Sequence, residues 1–163
     1  MNSALERIDA HLRSEQVPFA VIGATAMAVH GVSRATQDVD LLATSRRCLR
    51  PEFWAPLHAA GLLVELREGD DDDPLAGVIR IVGPAEDAMV DVIVGRTPWQ
   101  TQLLTQVERY EIDGVLIPVV RLEDLVLLKL YAGGVQDRWD ITQLLAANPQ
   151  VIELVTARVN VLP

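Results

Sequence analysis

Apolar positions follow two periods along this chain, and the switches between them mark out its elements. Residues 4–13 repeat at helical spacing behind Ser3-Ala-Leu-Glu6, a capping-box sequence, which predicts a first helix to about Arg13. "PFAVIG" is a short apolar run bounded by proline and glycine and reads as a buried strand. "ATAMAVHG" predicts a short helix ending at Gly31, and "DVDLLA" a second strand. "PEFWAPLHAAG" has the proline start and glycine stop of a helix. From Leu62 to Gly95 come three strand-like runs, "LLVELRE", "VIRIVG" and "MVDVIVG", with turn residues between them. Thr97-Pro98 predicts a helix start with the helix reaching about Arg109, and "YEIDGVLIPVV" a hairpin turning at Asp113-Gly114. "LEDLVLLKLYAGG" and "DRWDITQLLAANP" read as two more helices, while the tail "VIELVTARVNVLP" fits strand or helix. The order is α/β (α+β), with strands in the first three quarters and helices gathered toward the end.

Length changes this picture little: 163 residues without repeats or linkers make one domain, 1–163, with a core over about 15–120 and a helical portion over about 121–163. Half the residues are hydrophobic, enough for a packed core. No apolar run approaches the roughly 18 to 20 residues that span a bilayer, and the acidic, helical N-terminus is unlike a signal peptide. The lone cysteine, Cys48, has no partner for an internal disulfide. The expected location is cytoplasmic, with no membrane partner. Fourteen basic against 23 acidic residues give a net charge of −9, which disfavours unaided nucleic-acid binding, although a local basic patch can coexist with it. The run Asp70–Asp73 before Pro74 reads as a solvated loop tip, since it lacks the ligand alternation of a calcium loop.

The chemistry gathers in "DVDLLA". Residues i and i+2 of a strand share a face about 7 Å apart, so Asp38 and Asp40 point one way while Val39 and Leu41 point the other. "MVDVIVG" brings a third carboxylate, Asp91, between Val90 and Val92. Three like charges in a half-buried patch repel and are costly to desolvate, and a divalent cation relieves both problems. Carboxylate oxygens select hard cations, so Mg2+ or Mn2+ is the expected cofactor, with Asp38, Asp40 and Asp91 as ligands. The alternative is that each aspartate sits at a strand edge against water. Gly23 ends the preceding strand where the backbone must turn sharply, and Thr25 offers a hydroxyl near the next helix start, a place suited to phosphate. Neither GxGxxG nor a P-loop is present.

Strand, Gly23-Ala24-Thr25, helix, then Asp38-Val39-Asp40 resembles the nucleotidyltransferase superfamily typified by DNA polymerase beta. Within it, "IGATAMAVHGVSRATQDVDLL" resembles the AbiEii-type branch, which includes toxins of bacterial toxin–antitoxin pairs; His30-Gly31, Arg34, Thr36, Asp38 and Asp40 fall in step with its motifs. "LEDLVLLKLYAGGVQDRWDI" resembles the branch's second block. The resemblance implies a mixed sheet with helices packed on it, and transfer of a nucleoside monophosphate from an NTP. The acceptor would be a tRNA end, a protein hydroxyl or a small molecule such as an antibiotic. Asp38 and Asp40 would bind metal, Asp91 would help activate the acceptor hydroxyl, and Gly23, Ala24 and Thr25 would hold the triphosphate. An antitoxin partner and an oligomer are further expectations of this kind. Ala24 departs from the family's usual second glycine or serine, and its methyl group bears on whether the site is an enzyme's or a silent interaction module's.

Several residues keep two readings. Lys129 has the helical neighbours Leu122, Leu125, Val126, Ala132 and Gly133, so its ammonium either snorkels to water or meets an anion, for which the family block suggests nucleotide phosphate. Asp137 and Asp140 open a helix, where capping and the dipole favour carboxylates; the alternative is a contact to Lys129 or to nucleotide. Arg34 lies within reach of a phosphate or of an aspartate. His30 reads as bonding backbone carbonyls or as a base, and Trp54, Trp99 and Trp139 as core or interface residues.

Overall fold

A computed structural model describes residues 3–84 and 89–163. Helix α1 (Ala4–Ser14) starts where Ser3 Oγ accepts from the Glu6 amide, and it buries Leu5, Ile8 and Leu12. Strand β1 (Phe19–Ile22) runs into α2 (Gly23–Val29), and β2 (Asp38–Ala43) follows. After a 3₁₀ turn at Arg46–Leu49, a second 3₁₀ turn (Pro51–Trp54) and the short α3 (Ala55–Ala59) replace the single helix expected over "PEFWAPLHAAG". Then come β3 (Leu63–Glu68), β4 (Leu75–Val82), β5 (Met89–Gly95), α4 (Pro98–Leu103), β6 (Glu108–Ile112) and β7 (Val115–Val119). The chain ends in α5 (Leu122–Ala132), α6 (Val135–Ala147) and α7 (Val151–Arg158), which settles the ambiguous tail as helix.

The seven strands form one mixed sheet in the order β3-β4-β5-β2-β1-β7-β6. β2 runs parallel to β5 and β1 parallel to β7, and the other neighbours are antiparallel. The Asp113-Gly114 turn has positive φ at both residues, 50° and 78°, as a two-residue hairpin with the sheet's twist requires. The helix expected to reach Arg109 stops at Leu103, because residues 108–112 are taken up as an edge strand by β7. Pairing to a strand distant from that helix overrides local propensity there.

Val39 and Leu41 on β2, Ile79 and Ile81 on β4, and Val90, Val92 and Val94 on β5 point into one core. That core also takes Leu5, Ile8 and Leu12 from α1, and Leu144, Val151 and Val155 from the last two helices. Trp54 is buried, with its indole N–H donating to the Cys48 carbonyl, and Trp99 is partly buried against Tyr131. Trp139 is half exposed and is not a core residue. Among the described residues no helix is long and apolar enough to cross a membrane.

Candidate active site

The strand alternation that fills the core puts the carboxylates on the opposite face. On β2, Asp38 and Asp40 are half-buried while Val39 and Leu41 are buried. In the parallel pairing of β2 with β5, Asp40 stands directly beside Asp91, and Asp38 beside Met89. Adjacent strands are about 4.8 Å apart, so this register makes Asp40 and Asp91 close neighbours. Burial, then the charges of Asp91 and Asp38, push the Asp40 carboxyl up to about 6, against the opposing pull of Lys129 and Arg34. The three aspartates singled out in the sequence therefore share one electrostatic site. Thr36 ties down the entry to β2: its Oγ1 accepts from the Asp38 amide and donates to the Asp38 carbonyl.

Gly23 serves this cluster in a way its sequence position did not announce. It has φ +65°, and a Cβ built on it would lie 2.2 Å from Asp40 Oδ2. The β1–α2 turn thus rests on the Asp40 carboxylate, and only glycine satisfies both the backbone angle and the close approach. Beyond the turn, Ala24, Thr25, Arg34 and Asp38 line a cleft of about 620 Å³, together with Gln37 and Asp113. Of the residues expected to meet nucleotide, Ala24, Thr25 and Arg34 line this opening beside Asp38, and Gly23, Lys129, Asp137 and Asp140 do not.

Lys129 does not line that cleft, although its charge is felt at Asp40. Its ammonium is buried and bonded to Asp140 at 2.5 Å, with Asp137 at 3.5 Å, so it does not snorkel to water. Asp140 also accepts from Gln136 and lies 3.4 Å from Arg34 Nε. Burial alone would raise the Asp140 carboxyl, but hydrogen bonds from Lys129 and Gln136 and the nearby positive charges hold it below the usual range. Asp137 fills both roles open to it, accepting from the Gly134 amide at the start of α6 and pairing with Lys129. Arg34 reaches toward Asp140 rather than Asp38 and keeps a third of its side chain exposed at the cleft. His30 Nε2 lies 2.9 Å from the Val120 carbonyl, the backbone-bonding alternative for that residue.

One site residue escaped the sequence reading. Arg80 on β4 stands opposite Asp91 in the antiparallel pairing and forks onto it, Nε to Oδ1 at 3.0 Å and a terminal nitrogen to Oδ2 at 2.8 Å. The signal was there as a lone arginine in "VIRIVG" matched by a lone aspartate in "MVDVIVG", an opposite-charge cross-strand pair, but it needed the register to be known. Arg80 and Asp91 also line a second cleft, of about 460 Å³, with Glu65, Arg67 and Asp73.

The donor set suits a hard divalent cation: three carboxylates on neighbouring strands, one of them, Asp40, with its proton affinity raised by burial and by the like charges of Asp91 and Asp38. As the side chains stand, no three acidic, histidine or cysteine groups among the described residues are close enough together to cage an ion. Asp91 is drawn toward β4 by Arg80 while Asp40 lies on the other side, on β2.

No protein-family model matches the chain, and no curated protein matches it in sequence. Solved structures do match in fold. The solution structure of the antibiotic-resistance factor ANT(2″)-Ia superposes with a TM-score of 0.60 at 15% identity, covering 96% of this chain and 89% of that one. A putative nucleotidyltransferase from Thermotoga maritima, TM1012, gives 0.58 at 19% identity, covering 87% and 90%. The lincosamide antibiotic adenylyltransferase LnuA, bound to lincomycin, gives 0.52 at 13% identity, covering 88% and 96%. The fold of this chain is the one these nucleotidyltransferases share.

Proposed function

We propose that this chain is a metal-dependent nucleotidyltransferase that moves a nucleoside monophosphate from an NTP to a hydroxyl acceptor. The observation that carries the reading is the side-by-side placement of Asp40 and Asp91, with Asp38 on the same strand, beside a cleft lined by Thr25 and Arg34. Asp38 and Asp40 would hold Mg2+ or Mn2+, with Asp91 as third ligand. A divalent cation there supplies neutralisation of triphosphate charge and a lowered proton affinity of the attacking oxygen. Thr25 and Arg34 would bind and orient the triphosphate, with Gly23 keeping the turn clear of Asp40. Asp91 would take the acceptor's proton as its oxygen bonds to the α-phosphorus; the bond to the bridging oxygen breaks and pyrophosphate leaves. Lys129 would act through Asp140, which it shares with Arg34.

For the acceptor, the motif resemblance favours the AbiEii-type reading, with a tRNA end or a protein hydroxyl as target in a toxin–antitoxin pair. The cleft beside Asp91 favours a second reading, a small-molecule acceptor of the kind named for LnuA. Incubating the protein with each α-labelled NTP and, separately, tRNA, total protein and a panel of hydroxylated antibiotics distinguishes them. Label transfer that is lost in Asp38→Asn and Asp40→Asn is expected with one acceptor class. Transfer that survives in both variants contradicts the assignment of the site, and absence of transfer with all three acceptor classes supports the silent-module alternative.

A further inference from the structure

The strand order β4-β5-β2 sets Asp91 between two competing neighbours, Arg80 on one side and Asp40 on the other. Both Asp91 oxygens accept from the Arg80 fork at 3.0 and 2.8 Å. A forked guanidinium–carboxylate pair is among the stronger and more directional contacts a carboxylate makes, and it occupies the oxygens that a further cation would need. Half of the Arg80 side chain is exposed at the 460 Å³ cleft, so the guanidinium has open space to move into without unpacking the core. In the arrangement seen, Asp38, Asp40 and Asp91 do not cage an ion.

We propose that Arg80 is a competitor for Asp91: its guanidinium neutralises and holds the third carboxylate away from the Asp38–Asp40 pair, and a divalent cation must displace it for the site to close. The proposal rests on the metal-dependent reading of these carboxylates. It makes Arg80 a positioning residue acting through Asp91. Metal loading and assembly of the three carboxylates become one event, and the protein is spared three uncompensated charges on one sheet face when no cation is present. The Arg80 charge also repels the incoming cation directly, so its removal lowers two barriers to loading at once.

Mn2+ binding, followed by the loss of the free-ion electron paramagnetic resonance signal, tests this without any acceptor or turnover. Arg80→Gln is expected to bind Mn2+ roughly three- to tenfold more tightly than wild type. Arg80→Lys, which keeps the charge but cannot fork, is expected to fall between the two. In an Asp91→Asn background the Arg80→Gln gain is expected to shrink markedly, because there is no longer a carboxylate to release. Wild-type binding with unchanged or weaker binding in Arg80→Gln overturns the proposal and leaves the metal site standing. No Mn2+ uptake by any of these proteins overturns the metal site and the proposal together. Should Arg80→Gln fail to fold, Arg80→Lys decides by the same comparison with wild type.

Discussion

At the scale of single residues, Asp40 and Gly23 define the site by what they exclude. A methyl group at position 23 would meet Asp40 Oδ2 at 2.2 Å and would also have to accept φ +65°. Gly23→Ala is therefore expected to lose about 1–3 kcal/mol of stability in a urea melt, through strain and displacement of the carboxylate. A loss within a few tenths of a kcal/mol would mean that the turn does not rest on Asp40. Asp40 itself makes stability depend on pH. Its carboxyl is pushed up to about 6 by burial and by Asp91 and Asp38, so between about pH 4 and pH 6 the folded chain holds a proton that the unfolded chain has released. The folded state then binds more protons than the unfolded one, and stability through this group falls as pH rises across that window. In EDTA the Tm of wild type should fall from pH 4 to 6 relative to Asp40→Asn, and saturating Mg2+ should remove the difference. A wild-type Tm that rises relative to the variant across that window would refute the crowding of carboxylates.

At the scale of elements, the buried pair of Lys129 with Asp140 joins α5 to α6. Lys129→Met keeps the apolar stem but leaves Asp140 without its principal partner. Gln136 and Arg34 remain nearby, so the expected cost is about 3 kcal/mol, the lower end for breaking a buried ion pair. Adding Asp140→Asn should recover part of it in denaturant melts; a double variant as unstable as the sum of the singles would show the two residues to be uncoupled. This pairing shows where reading the sequence stopped. The helical neighbours of Lys129 are apolar, which correctly required either water or an anion, but which anion depends on how two helices pack, and no local pattern carries that. Asp38 and Asp40 were legible because a period of two is intrinsic to a strand. Their partnership with Asp91 needed the parallel register of β2 on β5, and Arg80 needed the antiparallel register of β4 on β5 as well. The overlong helix after Thr97 failed for a related reason. Gln100 does cap that helix, accepting at Oε1 from the Thr97 amide and hydroxyl, yet the segment beyond Leu103 is claimed by the hairpin.

At the scale of the molecule, one mixed sheet divides the labour: one face of its central strands packs the core, and the other carries the carboxylates between two clefts. On the proposed function, the cleft with Thr25 and Arg34 would take the triphosphate, and the cleft with Arg80 and Asp91 would take the acceptor. On the same proposal, a divalent cation would mediate between this face of a chain with net charge −9 and an anionic nucleotide. Isothermal titration of each NTP into wild type, Asp38→Asn and Asp40→Asn, with saturating Mg2+ and again with EDTA, tests that arrangement most directly. Binding of at least one NTP by wild type in Mg2+, lost in EDTA and weakened tenfold or more in both variants, is the expected result. NTP binding that is indifferent to EDTA and to both substitutions, or no binding of any NTP by wild type in saturating Mg2+, would contradict it.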